Sequence, residues 1–138
     1  MKRGPFLLDT GFLVALINSA DPDHAVCAKA WETVGGPLAT TEGVLVETAH
    51  LLRKRVGAFD VGWKLVKSVG THLAAPTRPR FDRSLELMMT YADVPMDLVD
   101  ALLVALAEET SITHVLTLDR RGFETYRLNG KRKFTLLP

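Results

Sequence analysis

Two short apolar runs in this chain, Phe6-Leu7-Leu8 and Val115-Leu116-Thr117-Leu118, each run straight into an aspartate, Asp9 and Asp119. Runs of that length, bounded by polar residues, fit strands buried on both faces better than helices. Leu38 to Thr40, His72 to Ala75 and Phe134 to Leu137 supply three further strand candidates. Between them, Phe12 to Ile17, His24 to Val34, Val44 to Val56, Phe59 to Val69, Phe81 to Tyr91 and Leu98 to Glu108 carry apolar residues at helical spacing. Gly35-Gly36-Pro37, Gly57, Gly70, Pro76 to Pro79 and Pro95 separate these segments. Strand and helix in alternation, with short connections, predict an α/β domain whose mostly parallel sheet is covered on both faces. Ligands of such sheets gather beyond the carboxyl ends of the strands. Asp9 and Asp119 both fall at such ends, and neighbouring strands would turn them into one crevice.

The chain has 138 residues, 47% of them hydrophobic, which is enough to bury a core and reads as one domain spanning 1–138. Phe6 to Ile17 is too short to span a membrane, and no small-residue cleavage pattern follows Lys2-Arg3, so neither anchor nor signal peptide is expected. The single cysteine, Cys27, excludes an intramolecular disulfide and fits a reducing compartment. A cytoplasmic protein is expected.

Two more acids stand in apolar surroundings. Glu47 shares a helical face with Val44 and Leu51, and Asp100 shares one with Leu103, Val104 and Ala107. Carboxylates brought together in a protein interior must be protonated or neutralised. A bound divalent cation is the simplest common explanation for Asp9, Glu47, Asp100 and Asp119. Each also has a bland reading: Asp9 as a helix cap, Glu47 as a surface residue, Asp119 as a turn. Asp97, just after Pro95, is well placed as an N-cap, with Asp100 three residues on completing a capping box.

Other chemistries fit less well. Asp9-Thr10-Gly11 has the form of an aspartic-protease loop but lacks its second copy, and Glu47-Thr48-Ala49-His50 is a single Glu-x-x-His. His24 and Cys27 alone are weak evidence for zinc, and a phosphoacceptor receiver domain would want paired acids at the first strand. The net charge of +1 gives no whole-molecule case for nucleic acid. The basic residues are nonetheless grouped: Arg53-Lys54-Arg55, then Arg78, Arg80 and Arg83, then Arg120, Arg121, Arg127, Lys131, Arg132 and Lys133. Beside an acidic metal site such groups become phosphate contacts.

Five blocks together resemble the PIN-domain proteins, among them the VapC-type toxins. They are Leu8-Asp9-Thr10-Gly11-Phe12-Leu13-Val14-Ala15-Leu16, Asp21-Pro22-Asp23-His24, Thr40-Thr41-Glu42 leading to Val46-Glu47-Thr48-Ala49, the run from Tyr91 to Glu108, and Thr117-Leu118-Asp119-Arg120-Arg121-Gly122-Phe123. The resemblance implies a three-layer α/β/α sandwich and a Mg²⁺- or Mn²⁺-dependent nuclease acting on single-stranded RNA. It implies metal ligands at Asp9 and Asp100, with Glu47 and Asp119 completing the acidic pocket as catalytic acids. Thr10, Asp97 and Thr117 are expected as auxiliary residues, Thr117 because two residues before Asp119 on a strand it would point to the same side. Arg53, Arg55, Arg120 and Arg121 are the expected RNA contacts. Gly11 and Gly122 depart from the family pattern, which often has a polar side chain at the first position and an acid at the second. A homodimer inhibited by a small antitoxin, whose tail enters the acidic groove, is the implied assembly. The alternative expectation is a PIN-like module that binds RNA or a partner and turns over little.

Overall fold

The computed structural model describes residues 5–138; Lys2 and Arg3, which entered the leader reading, lie outside the described residues. Five strands form one parallel sheet: β1 (Phe6–Leu8), β2 (Leu38–Thr41), β3 (His72–Ala74), β4 (His114–Leu116) and β7 (Thr135–Leu137), in the order β3-β2-β1-β4-β7. Helices α1 (Thr10–Ile17), α2 (His24–Thr33), α3 (Glu42–Leu51), α4 (Ala58–Ser68), α5 (Arg78–Thr90) and α6 (Leu98–Thr110) connect them. A short α7 (Arg120–Thr125) and a two-stranded antiparallel hairpin, β5 (Arg127–Leu128) and β6 (Arg132–Lys133), fill the span between β4 and β7.

Period-two alternation along each strand sends neighbouring side chains into different cores, and this makes the three layers. Leu7, Ala39 and Val115 point into the core shared with α5, α6, Phe123, Tyr126 and Phe134. Phe6, Leu8, Leu38 and Leu116 point the other way, against Phe12, Leu13, Cys27 and Val66. With both faces covered, β1 is a continuous apolar run and β2, Leu38-Ala39-Thr40-Thr41, is buried along its whole length.

Register places the two aspartates. Strands β1 and β4 are hydrogen-bonded neighbours, with Leu7 opposite Val115 and Leu8 opposite Leu116. The expected Val115 to Leu118 strand is one residue longer at its start and two shorter at its end. The chain turns out because Asp119 N donates to Thr117 Oγ1 at 3.0 Å. Asp119 therefore stands exposed as the N-cap of α7, accepting from Gly122 N at 3.0 Å, rather than as the end of a buried strand.

Other boundaries move for identifiable reasons. Helix α3 begins at Glu42 because Thr41 caps it, accepting from Val44 N at 3.3 Å, and stops at Leu51 rather than Val56. Residues 52–57 form turns, and Leu51 is 54% exposed, so the expected apolar face beyond Glu47 is open to solvent. Helix α5 starts at Arg78, capped by Thr77; Pro79 lies in its first turn, where a missing N–H costs nothing. No helix among the described residues is long and apolar enough to cross a membrane.

Candidate functional site

The site lies at the carboxyl edge of β1 and β4, where the strand register brings Asp9 close to the chain following Leu116. Asp9 caps α1, and its Oδ1 accepts from Thr10 N at 2.9 Å. Its Oδ2 accepts from the buried Thr117 hydroxyl at 2.7 Å. With 6% of its surface exposed, Asp9 keeps its charge out of water, and its pKa rises from 3.8 to about 6. Burial is the largest cause; the donors Thr117 and Thr10 work against it, while the negative charges of Asp119 and Glu47 add to it. The neighbouring Thr10 hydroxyl is also buried and has no hydrogen-bond partner among the described residues.

Asp100 enters from α6. The capping box read from the sequence is present: Asp100 N donates to Asp97 Oδ1 at 2.8 Å and Asp97 N donates to Asp100 Oδ2 at 3.2 Å. The carboxyl group of Asp100 is nonetheless pushed well above the usual carboxylate range. Burial is the main cause, followed by the charges of Asp97, Asp9 and Asp119. Asp97 is exposed and Asp100 half-buried, so the first serves the helix end while the second faces the shared field.

Glu47, on α3, is half-buried and lines a cleft of about 500 Å³ with Val46, His50, Pro76 and Val99. Asp119 lines a second cleft, of about 210 Å³, with Val94, Pro95, Arg121, Gly122 and Tyr126. Side chains from β1, α3, α6 and the β4–α7 turn thus act on one another electrostatically although they are scattered over 111 positions of sequence. Tyr126, which the sequence reading passed over, belongs to the same field: its phenol is held protonated by burial and by the charges of Asp100, Asp119, Asp97 and Asp9.

The donor set suits a hard divalent cation, since carboxylate oxygens are its preferred ligands. Among the described residues, no three His, Cys, Asp or Glu side chains stand close enough together to enclose an ion as they are. That is compatible with Mg²⁺ or Mn²⁺ held by one or two carboxylates with water completing the shell, and not with a fully protein-made cage. Two carboxyl groups, Asp9 and Asp100, pushed up by burial and by neighbouring negative charge beside an orphaned hydroxyl, are the feature a cation would relieve.

The basic residues divide sharply. Arg80 is buried and forks onto Glu109 at 2.7 and 2.8 Å while donating to Ala75 O, and Arg83 forks onto Glu108 at 2.8 and 2.9 Å. These two arginines clamp α5 to α6 and are not the phosphate contacts their grouping suggested. Arg120 donates to Pro138 O at 3.0 Å and pairs with Glu124, and Arg127 spends one nitrogen on the carbonyls of Glu124, Thr125 and Tyr126. Arg53 donates to His50 O at the end of α3. Arg121 alone of these lines a cleft with a site acid.

A five-stranded parallel sheet between helical layers, with acids from four elements acting on one another electrostatically beyond its carboxyl edge, is the architecture of a PIN-type domain. The PIN domain family model matches residues 6–128, and the chain belongs to that family. It is 28% identical over 135 residues to ribonuclease VapC26 of Mycobacterium tuberculosis, covering 96% of this chain and 99% of that one. Among solved structures it is similar to Mycobacterium tuberculosis VapC20, described as a sarcin–ricin loop cleaving toxin, with a TM-score of 0.76 and 23% identity over 84% of this chain and 91% of that one. A toxin–antitoxin complex from Klebsiella pneumoniae gives a TM-score of 0.69 and 18% identity, covering 88% and 92% of the two chains. At those identities the structural likenesses carry the fold.

Proposed function

We propose that this PIN-domain chain is a divalent-metal-dependent endoribonuclease that hydrolyses phosphodiester bonds of single-stranded RNA, as the toxin of a type II toxin–antitoxin pair. The observation that carries this reading is the Asp9 carboxyl group, buried at a strand end with its pKa lifted to about 6 and facing the charges of Asp119 and Glu47. The ribonuclease it is similar to over almost its whole length supports the same chemistry.

Asp9 and Asp100 are the residues that would hold Mg²⁺ or Mn²⁺. When bound, such an ion offsets charge developing on the phosphate and makes water more acidic. Glu47 and Asp119, each beside a cleft, are placed to accept the proton of an attacking water and to orient it in line with the leaving oxygen. Thr117 fixes the Asp9 carboxylate so that its charge costs no reorientation during the reaction. Arg121, Arg53 and Arg55 hold the RNA backbone against the repulsion of the acids. A small antitoxin is the partner this reading calls for, its tail supplying an arginine to the acidic groove, and the active assembly is a homodimer in the cytoplasm.

Titrating Mg²⁺ or Mn²⁺ against a labelled single-stranded RNA tests the reading. Metal-dependent products are expected from the wild-type chain and none from Asp9→Asn or Asp100→Asn, with circular dichroism unchanged. A second reading, a module that binds RNA or a partner without turnover, draws on the lack of a closed three-ligand cluster among the described residues. It predicts RNA binding with no metal-dependent products.

A further inference from the structure

The hairpin of β5 and β6 carries cations that the fold does not use. It reads Arg127-Leu128-Asn129-Gly130-Lys131-Arg132-Lys133, without an acid. Arg127 and Lys133 stand directly opposite each other across the two strands, a like-charged pairing that by itself weakens a hairpin. Arg127 turns its guanidinium back onto the carbonyls of Glu124, Thr125 and Tyr126. Lys131, Arg132 and Lys133 are exposed, and none of them pairs with a carboxylate among the described residues.

Packing and backbone hold this arm in place without those charges. Leu128 and Phe134 are buried in the core shared with α5 and α6, and Phe134 meets Phe123 edge-on at 5.7 Å. Arg127 N donates to the Tyr91 hydroxyl at 3.0 Å. At the tip Asn129 and Gly130 both take left-handed backbone, with φ of 52° and 73°, as suits a tight hairpin turn. Lys131 N closes that turn by donating to Leu128 O at 3.1 Å. The base of the arm borders the site: Arg127 follows Tyr126, which lines the cleft of about 210 Å³ with Asp119 and Arg121. Lys133 lies one strand spacing from Arg127, and Lys131 stands further out, in the turn.

We propose that the β5–β6 hairpin is a second RNA-binding surface, which holds the phosphate backbone of a single strand outside the cleft through Lys131, Arg132 and Lys133. Unpaired cations on an anchored arm release counterions from a polyanion and give up no internal ion pair in doing so. Contacts of this kind position a strand without reading its bases. They add affinity for RNA long enough to reach from the cleft to the tip of the arm, and a short oligonucleotide gains nothing from them. The choice of RNA as the polyanion rests on the nuclease reading above; the unpaired cations of the arm do not.

Lys131→Ala, Arg132→Ala and Lys133→Ala combined in one chain remove the charges and leave the anchors. Lys131→Arg, Arg132→Lys and Lys133→Arg combined keep the charges and serve as the control. Fluorescence anisotropy with a long and a short labelled oligouridylate, in metal-free buffer so that nothing is cleaved, compares both with wild type. The alanine variant is expected to bind the long RNA about 10- to 100-fold more weakly, with a logarithmic salt slope shallower by about 2, the signature of three phosphate contacts on a single strand. Its melting temperature and its affinity for the short RNA stay at wild-type values, and the charge-keeping variant binds both RNAs as wild type does. With Mn²⁺, the loss falls on KM for the long RNA and not on kcat. Wild-type affinity and salt slope for the long RNA in the alanine variant overturn the proposal, as does an equal loss on the short RNA. Tighter binding of polyglutamate than of RNA through the same three residues overturns it too, and assigns the arm to an acidic protein. A chain that holds long RNA through the arm and cleaves nothing would sink the nuclease reading alone.

Discussion

Thr117 donates its hydroxyl proton to Asp9 Oδ2 at 2.7 Å across 108 residues of sequence, and its own Oγ1 accepts from Asp119 N at 3.0 Å. One buried hydroxyl thus fixes the carboxylate at the end of β1 and the turn that presents Asp119. Replacing it with the isosteric valine is expected to strand both partners, at a cost of about 1–3 kcal/mol in denaturant unfolding at neutral pH. It also removes the donor that holds the Asp9 pKa down, so the acid limb of the cleavage profile should move to higher pH. Thr117→Ser should restore most of both properties; a valine variant with wild-type unfolding and pH profile would remove Thr117 from the site.

Asp9 ionises at 3.8 in an ordinary setting and at about 6 in the folded chain, so between these values the folded state binds the extra proton. Metal-free protein is accordingly expected to lose stability as pH rises through that window, with Asp100 extending the loss upward. Asp9→Asn should be more stable than wild type at pH 7.5 without metal, by up to about 3 kcal/mol, and the difference should vanish toward pH 4. Added Mn²⁺ should reverse the ranking, because only the wild-type chain gains from binding it. Thermal melts at two pH values, with and without Mn²⁺, check all three statements.

Arg80 and Arg121 test the division between structural cations and the proposed RNA contacts. Arg80→Ala breaks a forked pair with Glu109 and orphans Ala75 O, and is expected to cost about 1–3 kcal/mol of stability, less than a fully buried pair because Glu109 is 44% exposed. RNA affinity measured well below the melting temperature should not change.

Arg121→Ala is expected to do the opposite: an unchanged melting temperature with weaker RNA binding and a shallower dependence of affinity on salt. Arg120→Ala should weaken RNA binding less, since its guanidinium is engaged by Pro138 O and Glu124. Fluorescence anisotropy with an uncleavable RNA analogue at several salt concentrations compares the two. Equal salt slopes for both variants would remove Arg121 from the RNA path.

Local rules carried much of the layout. The capping box of Asp97 and Asp100 depends on residues three apart, and the apolar run of β1 on its own composition, so both were legible before any contact was known. The short elements were not. Helix α7 and the β5–β6 hairpin lie in a stretch so rich in arginine and lysine that it read as a basic surface, yet Phe123, Tyr126 and Leu128 anchor it in the core. The apolar face expected beyond Glu47 failed for the complementary reason: Leu51 is left 54% exposed, and periodicity alone does not say what covers a face.

From its order of residues this chain determined an α/β arrangement with acids at strand ends and helix starts, because strand length, alternation and capping act within a few neighbours. Which acids share a field and which arginines are spent on carboxylates were decided only by tertiary structure. Burial and charge–charge energies depend on distance through space, and the β1–β4 register that sets those distances is a property of the assembled sheet.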